Sequence, residues 1–112
     1  MRTPLLLIVV VSVLALAGTA TAAVWTPGTN YMISEKNADD WLEQAFDSAY
    51  CDGIPRFGHR GRFPYEEFVV FDCAIERDGY GYCPDARVKA VKGTRVGSYK
   101  LKMVRLGDCY SS

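Results

Sequence analysis

The chain has little of the chemistry that most enzymes and metal proteins use. Its 112 residues include one histidine, His59, and four cysteines without a C-x-x-C pair. A structural zinc site draws its ligands from closely spaced Cys and His residues, so we expect no metal. No serine lies in a G-x-S-x-G motif, and no glycine-rich phosphate loop is present. We therefore expect no cofactor and no enzymatic activity.

An apolar run long enough to cross a membrane is also missing. Residues 5–17 are apolar, but a spanning helix needs about 20 such residues. The run follows Arg2 and precedes an A-x-A site that ends at Ala22. This pattern predicts a secretory signal peptide, residues 1–22, and one mature domain, residues 23–112. An uncleaved membrane anchor is the alternative. We expect a secreted protein, extracellular or periplasmic, with no stable membrane anchor after cleavage.

Export would place the four cysteines where disulfides persist. A domain this small buries too little surface to be very stable without such bonds. We favour Cys51–Cys73 with Cys83–Cys109. Cys51 at the end of the predicted helix would lie over Cys73 in the first strand, and Cys83 in the second strand would lie near Cys109, which follows the neighbouring third strand. The alternative is Cys73–Cys83 with Cys51–Cys109, which a three-residue loop at 77–79 would allow.

Apolar residues recur at helical spacing in residues 38–50. The stripe consists of Ala38, Trp41, Leu42, Ala45, Phe46, Ala49 and Tyr50. This spacing predicts an amphipathic helix, which needs a partner surface for its aromatic side chains. Ser34 or Asn37 can cap its start, and Gly53 can end it in a left-handed conformation.

The sequence after residue 64 predicts three β-strands. Residues 65–75 are rich in aromatic and β-branched side chains, which predicts a central strand. Asp78-Gly79 predicts a hairpin turn, and a second strand follows at 80–91, disturbed by Pro84. A third strand begins at Tyr99, and its alternation breaks at Val104, which indicates a bulge.

These elements predict an α+β fold in which one amphipathic helix packs on an antiparallel meander stapled by disulfides. The meander has three strands, or four if residues 31–33 add a short one. The predicted core consists of Trp41, Phe46, Val69, Phe71, Val88 and Leu101.

Charge is nearly balanced but unevenly placed. Without Arg2 the domain has 12 basic and 13 acidic side chains. Every charge in residues 38–52 is negative, and every charge in residues 87–105 is positive. Solubility alone would account for this asymmetry. The more specific interpretation is that a face of the sheet binds an anionic ligand.

Residues 54–64, IPRFGHRGRFP, combine arginine with phenylalanine and form a predicted loop. Guanidinium groups bind phosphate, sulfate and carboxylate, while neighbouring rings offer apolar contact. Nucleic-acid sites use the same mixture, but export argues against that partner. The alternative is a connecting loop whose rings fill the end of the core and whose arginines pair with the acidic helix. The predicted binding residues are Arg56, His59, Arg60, Arg62, Lys100 and Lys102.

Three classes of function remain at this stage. The first is a small, monomeric binding module for an unknown extracellular protein or anionic ligand. The second is an inhibitor or effector of an extracellular enzyme, which a rigid, exposed loop at residues 56–62 would favour. The third is a hydrolase, which would need a pocket that joins His59 to a carboxylate.

Overall fold

The computed structural model describes residues 24–79 and 81–111. The predicted signal peptide lies outside these ranges. Within them, no helix is both long enough and apolar enough to cross a membrane. The elements are β1 (Ile33–Ser34), α1 (Glu35–Leu42), β2 (Ser48–Gly53), a 3₁₀ turn (Pro55–Phe57), β3 (His59–Arg60), β4 (Glu67–Phe68), β5 (Val70–Arg77), β6 (Gly81–Lys92) and β7 (Tyr99–Arg105).

The strands form two antiparallel sheets. The small sheet has the order β1-β4-β3, and the large sheet has the order β2-β5-β6-β7. The α+β class with one helix is therefore confirmed for the described residues. The predicted single sheet is wrong, because β1, β3 and β4 form a sheet of their own.

The helix begins where the sequence predicts but ends much earlier. The Asn37 N–H donates to Ser34 Oγ at 3.1 Å, so Ser34 is the N-cap. The helix stops at Leu42, and residues 48–50 belong to β2. Ala49 and Cys51 are buried while their neighbours are exposed, which is the alternation of a strand. The apolar residues Ala49, Tyr50 and Cys51 are compatible with either a helix or a strand, and the hydrogen-bonded pairing with β5 makes this stretch a strand.

The prediction that Gly53 ends the helix is wrong. Gly53 lies in β2 without a positive φ, and the Phe68 ring occupies the space that a Cβ would need. The predicted loop at 54–64 is also partly wrong, since it contains the 3₁₀ turn and β3.

The predicted strand at 65–75 is interrupted at Val69. Its first part, β4, pairs with β1 and β3, whereas β5 is a central strand between β2 and β6. The predicted short strand at 31–33 is present only as β1, which begins at Ile33 and pairs with β4. It adds no strand to the large sheet.

Both predicted irregularities in the large sheet are confirmed. Cys73 pairs with Ala86 but Ile75 with Cys83, so the residues next to Pro84 bulge out of register. Met103 pairs with Val88 but Arg105 with Arg87, which leaves Val104 as the extra residue of a bulge.

The favoured disulfide pairing is confirmed. Cys51 bonds to Cys73 and Cys83 bonds to Cys109. The reason given for the first bond was wrong, because Cys51 lies in β2 directly opposite Cys73 and not at a helix end. Each bond should contribute about 2–4 kcal/mol to stability.

The core lies between α1 and the inner face of the large sheet. Phe71, Val88 and Leu101 belong to it as predicted, together with Ala38 and Leu42 of α1. The predicted Trp41 and Phe46 pack against it half-buried, and Val69 is buried outside this cluster. Among the described residues, no α-helix covers the opposite, outer face of the sheet, where the 3₁₀ turn brings Phe57 against Arg87.

Candidate functional site

The outer face of β6 and β7 carries a group of basic side chains. Alternate residues of a strand point to opposite faces, and the inner positions of β6 are Ala86, Val88 and Ala90. Lys89 directly opposes Lys102, and Arg87 directly opposes Arg105. We call the following residues the basic face: Arg56, Arg87, Lys89, Lys100, Lys102 and Arg105.

One basic side chain of this face has an ion-pair partner. Arg87 donates from Nε to Asp72 Oδ1 at 2.8 Å and from Nη2 to Asp72 Oδ2 at 3.1 Å. These bonds lower the pKa of the Asp72 carboxyl, and the nearby charges of Arg105 and Arg56 act in the same direction. Asp72 thus neutralises Arg87 and orients it across the face.

The 3₁₀ turn brings Arg56 to this face through the Phe57 ring. The Arg56 guanidinium carbon lies 4.7 Å from the ring centroid, and that of Arg87 lies 5.3 Å from the same centroid. Cation–π contacts at this range are favourable, so the Phe57 ring contacts both guanidinium groups.

An apolar groove adjoins the basic face. It has a volume of about 280 Å³ and is lined by Asn30, Phe57, Val69, Val70, Arg87, Lys89 and Val104. Four of these residues are apolar and two are cationic. The groove therefore suits a group that carries negative charge next to an apolar surface.

Like charges that oppose each other across two strands destabilise a sheet. Asp72 reduces the repulsion between the opposed residues Arg87 and Arg105, because it forms an ion pair with Arg87. Among the described residues, the opposed Lys89 and Lys102 have no carboxylate partner. An anion that binds between them would remove this repulsion. The arrangement can therefore bind negative charge without first breaking an ion pair at Lys89 or Lys102.

The predicted binding residues do not form one cluster. Arg56, Lys100 and Lys102 belong to the basic face. The His59 ring stacks on Phe68 with centroids 6.0 Å apart, and its Nδ1 lies 3.3 Å from the Pro55 carbonyl oxygen.

The other two predicted arginines lie in the hairpin of β3 and β4. Arg60 donates from Nε to Glu67 Oε1 at 2.6 Å. Arg62 is exposed and has no ion-pair partner in the described part of the chain. Arginines of this stretch therefore do not pair with the acidic helix, and only Arg56 joins the basic face.

Three residues of the basic face were not predicted as binding residues, namely Arg87, Lys89 and Arg105. For Arg87 and Lys89 the available signal was alternation with Ala86, Val88 and Ala90, which places them on one face of β6. Arg105 reaches the same face as Lys102 only because of the bulge at Val104. The role of Asp72 had no sequence signal, because it depends on the register of β5 against β6.

Two acidic side chains of α1 accept hydrogen bonds from backbone N–H groups of β2. The Cys51 N–H donates to Asp39 Oδ1 at 2.7 Å, and the Gly53 N–H donates to Glu35 Oε2 at 2.8 Å. Burial raises the pKa of the Asp39 carboxyl, and the hydrogen bond from Cys51 opposes that shift. These carboxylates thus accept hydrogen bonds from two backbone N–H groups at the free edge of β2.

Residues 24–79 and 81–111 contain no group of three or more His, Cys, Asp or Glu side chains that could hold a metal ion. Comparison with protein-family models, with curated proteins and with solved structures found no match for this chain. Function must therefore be inferred from the geometry and charge of the site itself.

Proposed function

We propose that the protein is a small exported binding module that has no enzymatic activity and uses its basic face to bind an anionic partner. One observation carries this proposal. Cations occupy alternate positions of two neighbouring strands on a face that α1 does not cover, and no acidic residue lies on β7 to pair with them.

The spacing of the cations favours an extended partner with repeated negative charges. Alternate residues of one strand lie about 7 Å apart, and opposed residues of two strands lie about 5 Å apart. Lys100 and Lys102 on β7 and Lys89 on β6 thus present charge at several points along one surface. The groove at Phe57 and Val104 adds apolar contact beside them.

Export is supported by the two disulfides, since such bonds persist in oxidising compartments. We expect the mature chain to begin at Ala23. N-terminal sequencing of secreted material checks this, and recovery of the full-length chain from membranes would contradict it.

The alternative function, an inhibitor or effector of an extracellular enzyme, would be favoured by one rigid exposed loop at residues 56–62. This stretch is divided among the 3₁₀ turn, β3 and the start of the hairpin tip, so the basic face is favoured. A hydrolase is less favoured still, because the contacts of the His59 ring are with Phe68 and the Pro55 carbonyl group rather than with a carboxylate.

Elution from a column of immobilised heparin, a sulfated polysaccharide, tests the proposal. One variant carries Lys89→Gln, Lys102→Gln and Arg105→Gln. A control variant removes the same number of positive charges elsewhere, through Lys36→Gln, Arg60→Gln and Arg62→Gln. Because salt screens exposed charges, we expect wild type and control to elute at similar salt and the basic-face variant to elute much earlier.

Equal retention of both variants would mean that total charge, and not the basic face, governs binding. Absence of retention of the wild-type protein at low salt would contradict an anion-binding function for a polymer of this kind.

A further inference from the structure

Two aromatic side chains project into solvent at the tip of the β3–β4 hairpin. Phe63 is 87% exposed and Tyr65 is 83% exposed. Tyr50, the next most exposed aromatic residue among those described, is 65% exposed. Large apolar groups that stay exposed beside each other commonly mark an interaction site.

The fold holds this tip in place. Arg60 pairs with Glu67 across the hairpin, and the Tyr65 N–H donates to the Arg62 carbonyl oxygen at 2.7 Å. Gly61 has a φ of 80°, and a Cβ there would lie 3.0 Å from the Tyr65 carbonyl oxygen. The two rings are therefore presented by a supported turn.

A cavity of about 540 Å³ lies between this tip and the start of α1. Its lining residues are Ser34, Glu35, Lys36, Phe63, Pro64, Tyr65, Glu66 and Glu67. The volume is within the range of ligand sites and is larger than one side chain requires. None of these residues belongs to the basic face.

The charge of the lining favours a cation. Lys36 is already paired with Asp40 at 2.8 Å, and Glu67 is paired with Arg60. Glu35 accepts a backbone hydrogen bond from Gly53. Glu66 is a half-buried residue whose carboxylate has no hydrogen-bond or ion-pair partner among the described residues. The unbalanced charge of the cavity is thus negative and lies beside the two rings.

We propose that this cavity binds a basic segment of a partner polypeptide. A lysine or arginine side chain of that segment lies against Phe63 and Tyr65 and directs its charged group to Glu66. Aromatic faces attract such cations, and the apolar stem of the side chain covers the rings. The rest of the segment fills the space towards Ser34 and Lys36. This inference does not depend on the anionic partner of the basic face.

The probe is a short, capped peptide in which lysine residues alternate with glycine, and calorimetry measures its binding to the purified protein. The same peptide with acetyl-lysine keeps the length and removes the charge. The variants are Phe63→Ala with Tyr65→Ala, and Glu66→Gln. Tyr50→Ala removes an exposed ring elsewhere and is the matched control.

We expect the dissociation constant of the lysine peptide to rise about tenfold or more in the double variant, since two cation–π contacts are lost. It should rise less in Glu66→Gln and stay unchanged in Tyr50→Ala. The acetyl-lysine peptide should bind at least about tenfold more weakly to the wild type, because it has no cation. Because both rings are exposed, the double variant should unfold at the wild-type denaturant concentration.

Equal binding of the two peptides, or no binding of the lysine peptide to the wild type, would overturn the proposal. So would loss of phosphatidylcholine vesicle binding or of self-association in the double variant, because the rings would then serve a membrane or a second copy of this chain.

Discussion

The two edges of the large sheet protect their unpaired backbone groups in different ways. At β2, side chains of α1 accept hydrogen bonds from the strand, Asp39 from Cys51 and Glu35 from Gly53. At β7, no side chain of the described residues covers the edge in this manner. Instead it carries Lys100, Lys102 and a bulge at Val104, which are features that discourage pairing with another strand.

This difference shows that the negative stretch, residues 38–52, and the positive stretch, residues 87–105, have different roles. Acidic side chains at and just before the negative stretch stabilise the fold, because Asp39 and Glu35 accept hydrogen bonds from backbone N–H groups that would otherwise lack partners. In the positive stretch, Lys89 and Lys102 form no ion pair within the described residues, so their charges remain available. Nearly equal numbers of acidic and basic residues therefore do not imply equal roles.

The largest effect should come from detaching α1 from the sheet. Leu42 is buried in the core cluster, so Leu42→Ala should cost about 2–5 kcal/mol and also disturb the cover of β2. Trp41→Ala should cost less than a fully buried tryptophan would, because Trp41 is half-buried. Equilibrium urea unfolding measures both. A loss below about 1 kcal/mol for Leu42→Ala would mean that the helix contributes little to the fold.

A smaller effect should follow from removing one acceptor at the β2 edge. Asp39→Ala leaves the Cys51 N–H without its partner and should cost about 1–3 kcal/mol. Asp39→Asn keeps an acceptor oxygen and removes a partly buried charge, so its stability should stay much closer to that of the wild type. Equal losses in the two variants would show that the charge of Asp39, and not its hydrogen bond, matters.

The dependence of stability on pH should differ between Asp39 and Asp72. The pKa of Asp72 is lowered, so its contribution is present above its ordinary pKa of about 3.9 and is lost as pH falls through the folded value. The pKa of Asp39 is raised, so its ionised form costs stability, and that cost disappears as pH falls.

On acidification from about pH 6 to pH 2, Asp72→Asn should therefore lose less stability than the wild type, and Asp39→Asn should lose more. The differences should be a few tenths of a kcal/mol, because Asp72 is 47% exposed and solvent screens its ion pair. Urea unfolding at each pH measures them. Identical slopes in all three proteins would contradict these pKa directions.

Much of the large sheet could be predicted from the sequence because its signals are local. Alternation at Val88 and Ala90, the Asp78-Gly79 turn and the break at Val104 each depend on neighbouring residues. The helix end could not be predicted in this way. Ala45, Phe46, Ala49 and Tyr50 continue the helical spacing of the sequence, and only the pairing of residues 48–53 with β5, including Cys51 opposite Cys73, makes this stretch a strand.

The basic face was only partly predictable for the same reason. The positive run at residues 87–105 is visible in the sequence, and alternation places Arg87 and Lys89 on one face of the second strand and Lys100 and Lys102 on one face of the third. Arg56 joins them only because the 3₁₀ turn sets Phe57 against Arg87, a contact between residues distant in sequence. The separation of Arg60 from this group likewise depends on its pairing with Glu67.

The central claim is that the charges of Lys89, Lys102 and Arg105 are free for binding, because these side chains form no ion pair within the described residues. Urea unfolding of the wild type and of the Lys89→Gln, Lys102→Gln, Arg105→Gln variant, each with and without heparin, tests it directly. Without heparin we expect the two proteins to agree within about 0.5 kcal/mol.

With heparin at about 100 times its dissociation constant, the wild type should gain about 2.7 kcal/mol and the variant almost nothing. A variant that is markedly less stable without heparin, or one that heparin stabilises as much as it stabilises the wild type, would contradict the claim.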